Sequence, residues 1–166
     1  VSAQEARGQL AVLLGRKSEQ RPQQADYAAG TAAAFLPRDR AGEPRFVLAE
    51  AGTGVGKTLG YIAPASVWAQ KNQGTVWIST FTRNLQRQLD AELDRLYPDA
   101  VEKEQKVVVR KGRENYFCIL NYEEALNRSL QNPGRDAIAL GLLARWALAT
   151  RDGDMVGGDF PAWLAD

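Results

Sequence analysis

No histidine occurs among the 166 residues, and the chain has one cysteine, Cys118, and one methionine. Without histidine, Ser-His and Cys-His nucleophile pairs and mixed Cys/His zinc sites are excluded. A lone thiol closes no disulfide within the chain, and there is no run of about 18 apolar residues, so a disulfide framework and a membrane-spanning helix both fall away. Excess charge of either sign is missing too. The balance of 21 Lys and Arg against 20 Asp and Glu leaves +1, so any binding of a polyanion must be local. These absences fit a reducing, cytoplasmic compartment and no membrane partner. What is present is a 45% hydrophobic chain, long enough to bury one sizeable core. It begins at Val1 and stops in "DFPAWLAD", and we expect it to be a segment of something longer.

The order of elements predicts an α/β fold. Val1 to Gly15 and Pro22 to Leu36 read as helices, and "PRDRAGEP" after them as a loop. "RFVLAE" reads as a buried strand followed by a helix over Lys57 to Gln70. "TVWIST" gives a second strand and Arg83 to Leu96 an amphipathic helix with Leu85, Leu89, Leu93 and Leu96 on one face. "KVVVR" gives a third. Strand alternating with helix indicates a parallel sheet covered on both faces. Beyond Arg113 the pattern turns helical, over Tyr122 to Leu130 and Arg135 to Thr150, with the turn "QNPGR" between. Three strands leave an uncovered edge, again the mark of a partial domain.

The densest chemical signal is "AEAGTGVGKTLGY", between a predicted strand and a predicted helix. Backbone N–H groups of Gly52, Thr53, Gly54, Val55, Gly56, Lys57 and Thr58 would converge at a helix N-terminus, where unpaired donors and the helix dipole favour phosphate oxygens. Lys57 would reach the terminal phosphates of ATP, and the Thr58 hydroxyl would ligate magnesium. The ordinary alternative is a Gly-rich turn with a surface lysine. Upstream, Arg21 and Gln24 open a helix, and a Gln amide can pair with the N6 and N7 edge of adenine. Downstream, Thr80 and Thr82 close the second strand and could bond a DNA phosphate, with Arg83 and Arg87 adding charge. Taken alone, each flank is better explained without a ligand, the first as a solvated helix start and the second as a capping segment with solvated arginines.

In sequence order, R-P-x-Q, "EAGTGVGKT", "STFTRNLQRQL" and "KGRENYFC" resemble one family, the DinG/XPD-type iron-sulfur DNA helicases of superfamily 2, and within it the bacterial DinG and YoaA-like members. The loop follows that superfamily's AxxGxGKT form, with Ala51, Gly54, Gly56, Lys57 and Thr58 at its fixed positions. The resemblance runs from about Arg21 to Cys118, with weaker echoes in "RWALATRDGD". It implies that residues 1–112 are the N-terminal part of a RecA-like motor domain and 113–166 the start of a helical iron-sulfur insertion. It also implies adenine reading by Gln24, a catalytic Lys57, tracking of single-stranded DNA by Thr80, Thr82 and Arg83, and Cys118 as the first of four ligands to a [4Fe-4S] cluster. Lys111 and Arg113 would favour the thiolate and hold DNA phosphates beside it.

Three things the family carries are missing from these residues: the other cysteines, an acidic DEAH-like motif and a second motor domain. The resemblance therefore implies the nucleotide-binding part of an ATP-dependent helicase moving 5' to 3' on single-stranded DNA, inactive by itself. A non-catalytic nucleotide-binding or interaction module is the alternative from another class. A small-molecule kinase is a third reading, but it would leave "STFTRNLQRQL" and "KGRENYFC" as coincidences. For Cys118 the bland alternative is a small buried thiol.

Overall fold

The computed structural model describes residues 1–15, 19, 21–38, 40, 42–131, 134, 136–156 and 159–164, the side chains of Asp136 and Ala162 excepted. The expected helix start at Arg135, Asn132 and Pro133 of the turn, and Asp39 and Ala41 of the loop lie outside the described residues. Contacts divide the chain into two compact units, Val1–Val108 and Val109–Asp166.

In the first unit, α1 (Ala3–Leu14) is started by a reciprocal cap. Glu5 N–H donates to Ser2 Oγ at 3.2 Å, and Ser2 N–H to Glu5 Oε2 at 2.8 Å, so two otherwise unpaired donors are satisfied together. Proline in the first turn starts α2 (Pro22–Thr31), where no N–H is required. The longest helix, α3 (Lys57–Asn72), packs against both; α4 (Arg83–Leu93) and α5 (Ala100–Lys106) follow, capped by Thr82 and Asp99. Leu10 and Leu13 of α1, Ala28 of α2, Leu59, Ile62 and Ala63 of α3 and Leu89 of α4 form one buried cluster. Lys103 of α5 clips onto α4, its ammonium within 2.9 Å of Asp90 and 2.6 Å of Asp94.

The contact of α2 with α3 is tight because two residues permit it. A Cβ at Gly60 would stand 2.6 Å from Tyr27 Cδ1, too close for any side chain there. Pro64 lies inside α3 and has no N–H for the carbonyl of Gly60, one turn back. That carbonyl stands 3.3 Å from the hydroxyl of Thr31, whose one proton it shares with the nearer carbonyls of Tyr27, at 3.0 Å, and Ala28, at 3.1 Å.

The expected parallel sheet, and with it the α/β fold, is not found. The described residues are organised as helices, and none is in a strand; the β-type pairing among them is an isolated antiparallel bridge between Tyr116 and Asp154, in the second unit. "RFVLAE", "TVWIST" and the valines of "KVVVR" are chain without a ladder, and Lys106 is the last residue of α5. Many of their apolar side chains face out: Leu48 is fully exposed and Phe46 and Trp77 are more than four-fifths exposed, whereas Val47, Val76 and Val107 are half-buried. The reason is physical. A short apolar run states a need for burial, whereas a strand exists only where a second segment takes up its N–H and C=O groups, and these three segments do not pair.

In the second unit a 3-10 turn, Arg113–Asn115, leads into α6 (Ile119–Gln131), followed by α7 (Asp136–Ala149). Three edge or tilted ring contacts build its core. Phe117 lies 5.5 Å from Tyr122 and 5.9 Å from Trp146, and Trp146 is 4.8 Å from Phe160, a geometry that sets ring edges against ring faces. The buried Trp146 also donates its indole N–H to Asp159 at 3.2 Å.

Candidate functional site

The loop before α3 is shaped by glycine. Gly54 and Gly56 have φ of 78° and 85°, in the left-handed region, where a side chain collides with its own backbone. Gly56 directly precedes Lys57 and α3 begins without a side-chain cap, so the N–H groups of its first turn have no side-chain acceptor at Gly56.

The N-cap residue of α2 and a residue of its first turn hold this loop. Arg21 donates to the Gly54 carbonyl at 2.9 Å, and the Gln24 amide donates to the Gly56 carbonyl at 2.8 Å. Gln24 is buried, an unusual place for an amide unless it is bonded. Thus Arg21, Gln24 and Gly52–Thr58 are brought together, with Gln24 Nε2 turned onto the loop backbone. Lys57 folds back over the loop, its ammonium 2.9 Å from the Ala51 carbonyl and 2.7 Å from that of Gly52. Thr58 is half-buried and bonds the phenol of Tyr61, whose pKa burial pushes above its ordinary value against the pull of that bond.

Sequence reasoning missed a cleft of about 580 Å³ beside the loop, bordered by Gln23, Asp26, Tyr27, Leu48, Glu50 and Gly52. Its lining side chains offer phosphates no cation, Glu50 adds a carboxylate and that of Asp26 is paired with Arg7 at 2.8 Å, while its volume is in the range of small-ligand sites. No sequence signal marks it, because α2 and the segment before the loop meet only in the fold.

Thr80, Thr82 and Arg83 stand at the entry to α4. Thr82 Oγ accepts the N–H of Leu85 at 3.2 Å and so caps the helix; Thr80 is half-buried and Arg83 exposed. Arg87 donates to Asn84 at 2.9 Å.

In the second unit Arg113 is exposed and Cys118 half-buried. The Cys118 carbonyl accepts the N–H of Tyr122 at 3.0 Å, which places the thiol at the mouth of α6. Lys111 does not face solvent as a phosphate contact would: its ammonium pairs with the carboxylate of Asp154, a residue that sequence reasoning did not single out. An iron-sulfur cluster needs four ligands. Cys118 is the chain's one cysteine, and among the described residues no three His, Cys, Asp or Glu side chains gather as a metal site, so these residues alone do not fit the cluster. No described helix is long and apolar enough to cross a membrane.

No family model matches the chain, and no solved structure matches it. Curated proteins do. An ATP-dependent helicase DinG of Mycobacterium tuberculosis is 34% identical over 148 residues, covering 79% of this chain and 21% of the relative. The ATP-dependent DNA helicase YoaA of Escherichia coli is 36% identical over 127 residues, covering 74% and 19%. A Bacillus subtilis relative, named a 3'-5' exonuclease DinG, is 30% identical over 129 residues, covering 78% and 13%. The similarity is thus chiefly to ATP-dependent DNA helicases. Along the matched stretch, about three quarters of its own length, the chain is DinG-like, and it spans only 13 to 21% of the length of these relatives.

Proposed function

We propose that this chain is the nucleotide-holding segment of an ATP-dependent DNA helicase, binding ATP or ADP with magnesium at Gly52–Thr58. One observation carries the reading: the glycine-shaped loop opens α3 while Arg21 and Gln24 fasten it from α2. In this proposal phosphate oxygens take the N–H groups from Gly52 to Thr58, and Lys57 leaves the two carbonyls it now bonds to reach them. Magnesium, ligated by the Thr58 hydroxyl, would supply charge neutralisation of the phosphates. The cleft beside Tyr27 would take the nucleoside end; Gln24 does not line it, and to read adenine through its amide edge it would give up its bond to the Gly56 carbonyl. Thr80, Thr82, Arg83 and Arg113 would contact the backbone of single-stranded DNA, and the whole enzyme would move 5' to 3' in the cytoplasm.

Residues 1–112 would then serve the motor and 113–166 open the helical insertion, where Cys118 would be the first cluster ligand with three thiolates supplied from outside this chain. The isolated chain is expected to bind nucleotide and not to unwind.

Titration calorimetry with magnesium-ATP tests the reading. Lys57→Ala should weaken binding by roughly ten- to a hundredfold, the loss of a charge-assisted bond to phosphate. Equal affinity in the variant would remove this loop as the site.

A further inference from the structure

We infer that Lys111 and Asp154 form an internal latch that sets the position of Cys118. Their side chains are only 16% and 12% exposed, so this is a nearly buried ion pair rather than a surface contact. Buried charges persist where each is the other's partner and the remaining lone pairs are bonded. That condition is met on the acid: Asp154 Oδ1 accepts the Val156 N–H at 3.0 Å, and Asp154's own N–H donates to Asp152 Oδ1 at 3.0 Å.

The pair sits where two stretches far apart in sequence are stitched together. Phe117 N–H donates to the Gly153 carbonyl and Met155 N–H to the Asn115 carbonyl, both at 2.8 Å, on either side of the Tyr116–Asp154 bridge. At the other end Lys111 N–H donates to the Tyr116 hydroxyl at 3.1 Å. Gly153 has φ of 70°, which lets the return chain turn sharply against Phe117. The three residues before Cys118 are therefore held from the segment after α7, and Cys118 itself opens α6. Lys111 and Asp154 supply the charge that closes this clasp. A consequence is a division between neighbouring cations: Lys111 is internal, while Arg110 and Arg113 are exposed. The inference does not depend on Cys118 binding iron.

The test uses the 166-residue chain and reads two things. The first is the rate at which a maleimide labels Cys118 at fixed pH; the second is hydrogen-exchange protection of the Phe117 and Met155 amides, compared with amides inside α7. Asp154→Asn and Lys111→Met should each speed labelling by about tenfold and lower protection at Phe117 and Met155 similarly, with α7 unchanged, as a local opening does. Lys111→Arg, which keeps the charge, should stay within about twofold of the parent in both readings. Unchanged labelling and protection in Asp154→Asn and Lys111→Met would overturn the latch. So would an equal loss of protection throughout α7, which would make the pair a general support of the unit.

Discussion

Gly56 is glycine for two separate reasons. Its φ is 85°, and a Cβ there would stand 2.3 Å from the amide nitrogen of Gln24. Gly56→Ala should therefore lower stability by more than the 1–2 kcal/mol, approximately, that a left-handed backbone costs an L-residue. Gln24→Ala forfeits the bond to the Gly56 carbonyl but removes the clash, so Gly56→Ala should cost less in a Gln24→Ala background than in the parent, the remainder being the backbone part, as thermal melts of the four proteins would show. Glu5 answers to pH instead. The bond from Lys71, then those from Ser2, hold its carboxyl down from the ordinary 4.5 to about 2. A depressed carboxylate stabilises the fold above its unfolded value and ceases to do so as pH falls through the folded one. The melting-temperature gap between the parent and Glu5→Gln should thus be full above pH 4.5 and close as pH falls towards 2. Because Glu5 is solvent-accessible, added salt should narrow the gap as well.

Between elements, the contact of α2 with α3 depends on a carbonyl that the helix itself cannot satisfy. Thr31 Oγ1 reaches the Gly60 carbonyl that Pro64 leaves without its helical donor, and divides its one proton between it and the Tyr27 and Ala28 carbonyls of its own helix. Thr31→Val should cost about 1 kcal/mol, since it leaves a partly buried acceptor unpaired. In a Pro64→Ala background the restored N–H of residue 64 takes that carbonyl, so the same Thr31→Val change should cost measurably less. Denaturant titration of the four proteins gives the coupling; equal costs in both backgrounds would show that Thr31 does not serve the Gly60 carbonyl. At the start of α4, Thr82→Ala should cost about 1 kcal/mol through loss of the bond to Leu85 N–H.

For the molecule as a whole, the chain carries a phosphate-type loop and no DEAH-like carboxylate to position magnesium and the attacking water. We expect ATP turnover at or near the buffer background in a phosphate-release assay, with or without single-stranded DNA. An ordinary enzymatic rate would require a catalytic group among these residues that neither the loop nor its surroundings reveal.

Whatever depended on neighbours along the chain could be read from the residues. The loop from Gly52 to Thr58 is contiguous, its glycines stand where the backbone turns left-handed, and the helix after it begins at Lys57. Helices α1–α4, α6 and α7 were legible for the same reason, since apolar spacing acts within a few positions; α5 was not read, because its seven residues bury no side chain and show no apolar face. Phe46, Leu48, Trp77 and Val108 gave the opposite result. Their runs read as strands, but a ladder is a relation between distant segments, and the fold leaves those side chains exposed. Gln24's bond to the Gly56 carbonyl spans 32 positions, and the pairing of Lys111 with Asp154 spans 43. Each of those side chains has many possible partners in sequence. Only the approach of α2 to the loop, and of the chain after α7 to the residues before Cys118, selects one partner for each, because a buried polar group is stable only where its partner is brought to it.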